Sequence, residues 1–224
     1  MKPLPADADL NDPRWAAEFT AVMNGLVQHR TRCAIMIDYF RPHLKKGRVK
    51  ALYKTLLNSN PASGAVLNGE ARHFAITSPH RSAGYVLQGA IFLECFDRLR
   101  RIAGYRLHRG WLLLHAYNAY VAQTQRIMDT IRHSKRLEIN QCYALLRKVG
   151  HLDGGPATAM SELQRRTCGR CGTTHLIVTS EELDIQPCPV CLIHRNNTKG
   201  AVGESIRRSQ RDAAGKPAGN ARAA

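Results

Sequence analysis

The chain has 224 residues, enough for one substantial hydrophobic core with a small appended segment. Its 33 Lys+Arg against 17 Asp+Glu leave a net charge of +16, which favours a polyanionic partner through long-range attraction and counterion release. Against a membrane or secreted protein stand three features: no apolar run long enough to cross a bilayer, a polar start from Met1 to Asp12 unlike a secretory leader, and an odd set of seven cysteines suited to a reducing cytoplasm.

Residues 1–13 read as a disordered N-terminus. Asp12 is a plausible N-cap and Pro13 suits the first turn of a helix, whose apolar residues Trp15, Phe19, Val22, Met23 and Leu26 recur at helical spacing. A second apolar stretch, Ala34 to Phe40, ends at Arg41-Pro42. Helical spacing resumes at Val49, Leu52, Tyr53, Leu56 and Leu57 and stops at Asn58-Ser59-Asn60-Pro61. The next twenty residues, with their Gly, Ser and Pro, read as a loop. Three longer helical patterns follow, Tyr85–Arg101, Gly110–Gln125 and Leu137–Val149, before His151-Leu152-Asp153-Gly154-Gly155-Pro156 breaks the pattern. Strand-like alternation is scarce, so residues 14–160 form a mostly α body. A zinc-binding segment is expected over 161–195. From 196 to 224 small residues, interrupted by Lys199, Arg207, Arg208, Arg211, Lys216 and Arg222, read as a flexible basic tail that cannot bury enough surface to offset chain entropy.

The strongest chemical signal is Cys168, Cys171, Cys188 and Cys191, two Cys-x-x-Cys pairs separated by sixteen residues. Each pair places two thiolates on one tight turn, and two such turns facing each other make the tetrahedral all-sulfur shell that Zn²⁺ prefers. One zinc ion per chain is expected. Gly169 and Gly172 loosen the first turn, Pro187 and Pro189 stiffen the second, and His175-Leu176-Ile177-Val178 reads as a short strand leaving the first. A redox dithiol or a pair of disulfides is the alternative, but a thioredoxin-like site places one Cys-x-x-Cys beside a βαβ pattern, and none is found. His175 and His194 lie near the cysteines, yet four thiolates already complete the shell. Glu181-Glu182 reads as an exposed turn. Cys33, Cys95 and Cys142 sit singly on apolar helical stretches and read as small buried hydrophobes. Phosphate-binding Gly-rich loops, nucleophile elbows and paired catalytic carboxylates are missing from the sequence, so neither an enzyme nor a small-molecule substrate is expected.

The segment His43–Leu57 carries Val49, Leu52, Tyr53 and Leu56 on one face and Lys45, Lys46, Arg48, Lys50 and Lys54 on the others. The preceding apolar stretch and the Pro/Lys/Gly break give a helix-turn-helix-like N-terminal arrangement whose second helix would face double-stranded DNA. Arg48, Lys50 and Lys54 are the candidate DNA contacts. A basic face on an amphipathic helix is also the ordinary pattern of a solvated surface.

Several of these stretches together resemble a known family. Gly47-Arg48-Val49-Lys50-Ala51-Leu52-Tyr53-Lys54, followed by Ser59, Pro61 and Gly64, is similar to the Gly-Arg-x-x-x-Leu-Tyr-Lys block of FlhC-type flagellar transcriptional regulators. The run Ile139-Asn140-Gln141-Cys142-Tyr143-Ala144-Leu145-Leu146 resembles the same family, as do Thr167-Cys168-Gly169-Arg170-Cys171-Gly172 and Cys188-Pro189-Val190-Cys191. The resemblance covers residues 25–195. It implies a helical protein with a four-cysteine zinc site that pairs with an FlhD-like subunit, binds flagellar promoters as a hetero-oligomeric activator and works with RNA polymerase. The chain departs from the pattern at Ala65-Val66-Leu67, over Glu70–Arg109 and in its long basic tail. A zinc-ribbon RNA-binding or polymerase-associated protein is the alternative. Single-strand binders expose clustered aromatics, and aromatics are only 6% here, which favours duplex binding.

Overall fold

The computed structural model describes residues 2–9, 12–60, 83–103, 107–130, 136–149, 163–178, 188–192, 194 and 195. The predicted loop after Pro61, the break at 151–156, Pro187, the Glu181-Glu182 pair and the basic tail from Asn196 lie outside these residues. The fold is mostly helical, with a four-cysteine cluster near the C-terminal end. In chain order come α1 (Pro13–Gln28), α2 (Cys33–Phe40), α3 (Lys46–Ser59), α4 (Ala83–Ala103), α5 (Arg109–Thr130) and α6 (Ile139–Lys148), then β1 (Leu163–Thr167) and β2 (Thr174–Val178).

Helix α1 begins as its sequence dictates. The Asp12 carboxylate accepts the Arg14 N–H at 2.9 Å, and Pro13 occupies the first turn, where its missing N–H costs nothing. The helix ends where Arg30 takes φ 58°, which turns the chain sharply into α2. Helix α5 is the hub: it packs against α1, α2, α4 and α6. Leu113, Ala116 and Tyr120 on α5 are fully buried, as are Phe92 and Leu93 on α4. Burying side chains of this size contributes about 1.5–3 kcal/mol each. Gly25 lets α1 approach α5 closely, because a Cβ there would lie 2.7 Å from a methyl of Leu114. Between α5 and α6 the Leu137 N–H is held by Gln88 Oε1 and by the Tyr120 hydroxyl, each at 3.0 Å, so three elements meet at one buried backbone group.

The N-terminal segment departs from expectation. Residues 2–9 are docked on the body instead of hanging free. Leu4 and Ala8 are buried in the common core, the His108 N–H donates to the Leu4 carbonyl at 2.8 Å, and the Trp111 indole N–H donates to the Lys2 carbonyl at 3.0 Å. These contacts lie about a hundred residues away in sequence, and local polarity cannot announce them.

The boundary between helical body and metal-binding segment is also softer than expected. Strands β1 and β2 pair antiparallel, with Arg165 opposite Leu176 and Arg166 opposite His175. Leu163 and Leu176 belong to the same apolar cluster as the helices, and β2 packs on α4. Arg165 reaches across to Glu94 at 3.4 Å and forms a second ion pair with Asp97, both on α4. The hairpin is therefore fixed to the body.

Candidate metal centre and basic helix

The β1–β2 hairpin carries the first cysteine pair at its tip. The Gly172 N–H donates to the Cys168 carbonyl at 2.9 Å, and the Cys168 N–H donates to the Thr173 carbonyl at 3.0 Å, which closes a tight turn around Cys171. Gly172 sits at φ +71°, a conformation that side-chain-bearing residues rarely adopt. The second pair opens a helical turn over 188–192, where the Leu192 N–H donates to the Cys188 carbonyl at 3.0 Å.

All four sulfurs lie within 4.8 Å of one another. The closest pairs run between the two turns: Cys168 to Cys191 at 3.8 Å and Cys171 to Cys188 at 3.6 Å. A tetrahedral thiolate shell with metal–sulfur bonds of about 2.3 Å has sulfur–sulfur edges of about 3.8 Å. A disulfide needs sulfurs at about 2.05 Å, so the spacing suits a metal and not a bridge. The four cysteines can hold a metal ion.

The thiols are not equivalent. Backbone N–H groups of Cys171 and Arg170 lower the Cys168 pKa, and the Thr173 hydroxyl and N–H bring Cys171 down to about 6. Burial raises Cys188, and hydrogen bonding to Cys171 pushes Cys191 up to about 12. The crowded sulfurs oppose one another's ionisation, two thiols being lowered and two raised. A divalent ion would remove that conflict by favouring all four thiolates. His175 is buried, its Nδ1 3.4 Å from the Thr173 carbonyl, and neither it nor His194 joins the sulfur cluster. Of the other cysteines, Cys95 and Cys142 are buried and burial raises both thiols, whereas Cys33 is only half-buried.

The second candidate site is α3. It follows α2 after a turn over residues 41–45 and packs on both α1 and α2. Val49 and Tyr53 are buried, and the Tyr53 hydroxyl donates to the Thr31 carbonyl at 3.1 Å, tying α3 to the start of α2. Arg48, Lys50 and Lys54 are all exposed, as are Lys45 and Lys46. The three candidate contacts do not share one edge. At 3.6 residues per turn, Arg48 lies about 160° from Lys50 and about 120° from Lys54 around the helix axis. Leu52 is corrected from the apolar face to the surface, with 37% of its area exposed, while Leu56 stays half-buried.

Two contacts that position these elements were not legible in the sequence. One is the Arg165 link to Glu94 and Asp97, which fixes the cysteine-bearing hairpin. The other is Asn140, whose side chain holds the turn between α1 and α2. The Ile139–Leu146 run pointed to α6 but not to that role. No helix among the described residues is long and apolar enough to cross a membrane. No protein-family model matches the chain, and no curated protein matches it.

Proposed function

We propose that this protein is a DNA-binding transcriptional activator subunit of the FlhC type, holding one Zn²⁺ through Cys168, Cys171, Cys188 and Cys191. The observation that carries the reading is α3: a short helix and a turn lead into it, Val49 and Tyr53 anchor it, and Arg48, Lys50 and Lys54 stand exposed with no acidic partner among the described residues. The net charge of +16 suits a duplex, whose phosphates Lys50 and Lys54 would neutralise. The Gly47–Lys54, Ile139–Leu146 and double-cysteine blocks support the same reading through their order along the chain. On this reading the zinc is structural, cross-linking two turns and supplying folding free energy to the hairpin. The subunit would act in the cytoplasm with an FlhD-like partner and RNA polymerase at flagellar promoters.

A salt titration of duplex binding tests it. Lys50→Ala/Lys54→Ala should bind more weakly and lower the slope of log K against log salt by about one per lost charge. Unchanged affinity and slope, in a protein that still melts like the parent, would make α3 a core or partner-binding element.

A further inference from the structure

The outward face of α3 is low at its centre and cationic on both sides. Val49, Tyr53 and Leu56 define the inward direction. Directly opposite, at about 100° per residue, lie Gly47, Ala51 and Asn58. Lys50 and Lys54 flank this strip on one side and Arg48 on the other, all exposed. Beside it, the Thr55 hydroxyl turns back onto the Ala51 carbonyl at 3.1 Å and the Ser59 hydroxyl onto the Thr55 carbonyl at 3.0 Å, so neither projects outward.

Gly47 has no packing role. A Cβ built there meets nothing within 4 Å, and Gly47 lies in the first turn of α3 without the positive φ that would call for glycine. The fold gains nothing from its missing side chain; a surface approaching from outside would.

Resting on the duplex-binding reading above, we infer that this strip seats in the DNA major groove, with Gly47 and Ala51 allowing the helix backbone to approach the base edges. Lys50 and Lys54 reach the phosphates of one groove wall and Arg48 those of the other. The charge matches, since a duplex presents phosphates along both walls of a groove about 12 Å wide, the width that admits an α-helix. The division of cations around α3 then has a cause: they straddle the groove.

The test uses the full-length zinc-loaded chain, alone and with an FlhD-like partner subunit, and duplexes selected by it from a randomised pool. Gly47→Leu and Ala51→Leu point into open solvent and should melt no lower than the parent. Each should nevertheless bind about tenfold more weakly or worse, because an overpacked contact costs about 1–3 kcal/mol, with the salt slope unchanged because no cation is lost. Ala122→Leu, an equally exposed position on α5, should bind like the parent. The parent should protect guanine N7, a major-groove atom, from methylation. If both leucine variants bind normally while Lys50→Ala/Lys54→Ala is weakened, the lysines reach phosphate but this strip is not the seat, and the inference fails while the broader reading stands. If the parent selects no duplex either alone or with the FlhD-like partner, both fail.

Discussion

The side-chain amide of Asn140 holds Arg32 in place: its Oδ1 accepts the Arg32 N–H at 2.9 Å, and its Nδ2 donates to the Arg30 carbonyl at 3.0 Å. One residue of α6 thus satisfies backbone groups on both sides of Thr31, where the chain turns through the positive φ of Arg30 and starts α2. Because α3 also anchors to Thr31 through Tyr53, the clamp fixes the pose of the basic helix.

Asn140→Ala should therefore destabilise the fold by about 1–3 kcal/mol, since two part-buried hydrogen bonds are lost at about 0.5–1.5 kcal/mol each. Asn140→Asp keeps the acceptor for Arg32 but sets a carboxylate oxygen against the Arg30 carbonyl in a buried site, and should be no more stable than alanine. Urea unfolding of the three proteins measures this; an alanine variant as stable as the parent would remove the clamp from the account.

Cys168→Ser/Cys191→Ser should abolish stoichiometric metal binding, because each turn keeps a single thiolate. Elemental analysis of the purified double variant reads the outcome directly, and a full metal complement would sink the assignment. In the parent, metal affinity should fall as pH falls, since protons compete for the thiolates.

His108 supplies a pH dependence whose sign is fixed by its surroundings. Burial, and then the neighbouring His43, lower its pKa from 6.5 to about 3; Nδ1 accepts the Gly110 N–H at 3.2 Å while Nε2 has no hydrogen-bond partner. The folded state thus favours neutral imidazole. Its contribution is complete above pH 6.5 and is lost as pH falls towards 3, because the unfolded chain binds the proton first, at up to about 1.4 kcal/mol per pH unit. Comparing unfolding of the parent and His108→Leu from pH 7 to pH 4 should show a shallower acid decline in the variant. Parallel declines would assign the acid limb to other groups, such as His43 and His115, whose pKa values burial also lowers.

Leu4→Ala should cost about 2–5 kcal/mol, the range for a buried leucine truncated in a packed core, because Leu4 is fully buried. A loss below about 0.5 kcal/mol, the size of an ordinary surface change, would mean that the N-terminal segment contributes nothing to stability. Thermal or urea unfolding decides between them.

The helices were legible because burial at 3.6-residue spacing leaves a local trace: Phe19, Val22, Met23 and Leu26 mark α1 before any neighbour is known. The four-cysteine cluster was legible because a Cys-x-x-Cys turn carries its own geometry. Leu52 misled because it lies beside Val49 and Leu56 on the helix surface, and only tertiary structure decides where cover stops. β1, Leu-Gln-Arg-Arg-Thr, has little apolar pattern of its own and becomes a strand by pairing with β2. Leu4 and Asn140 owe their roles to partners roughly a hundred residues away, a distance over which no periodicity speaks.

The hairpin that bears the cysteines packs on α4 through β2, buries Leu163 and Leu176 in the common core and grips α4 through Arg165. It is consequently not a portable cassette. Cut out and grafted elsewhere, it would carry a greasy underside with no surface to meet, and the truncated body would be left with a bare seam along α4. A chimera that exchanges this hairpin between proteins must carry over the matching α4 positions, Glu94 and Asp97 first.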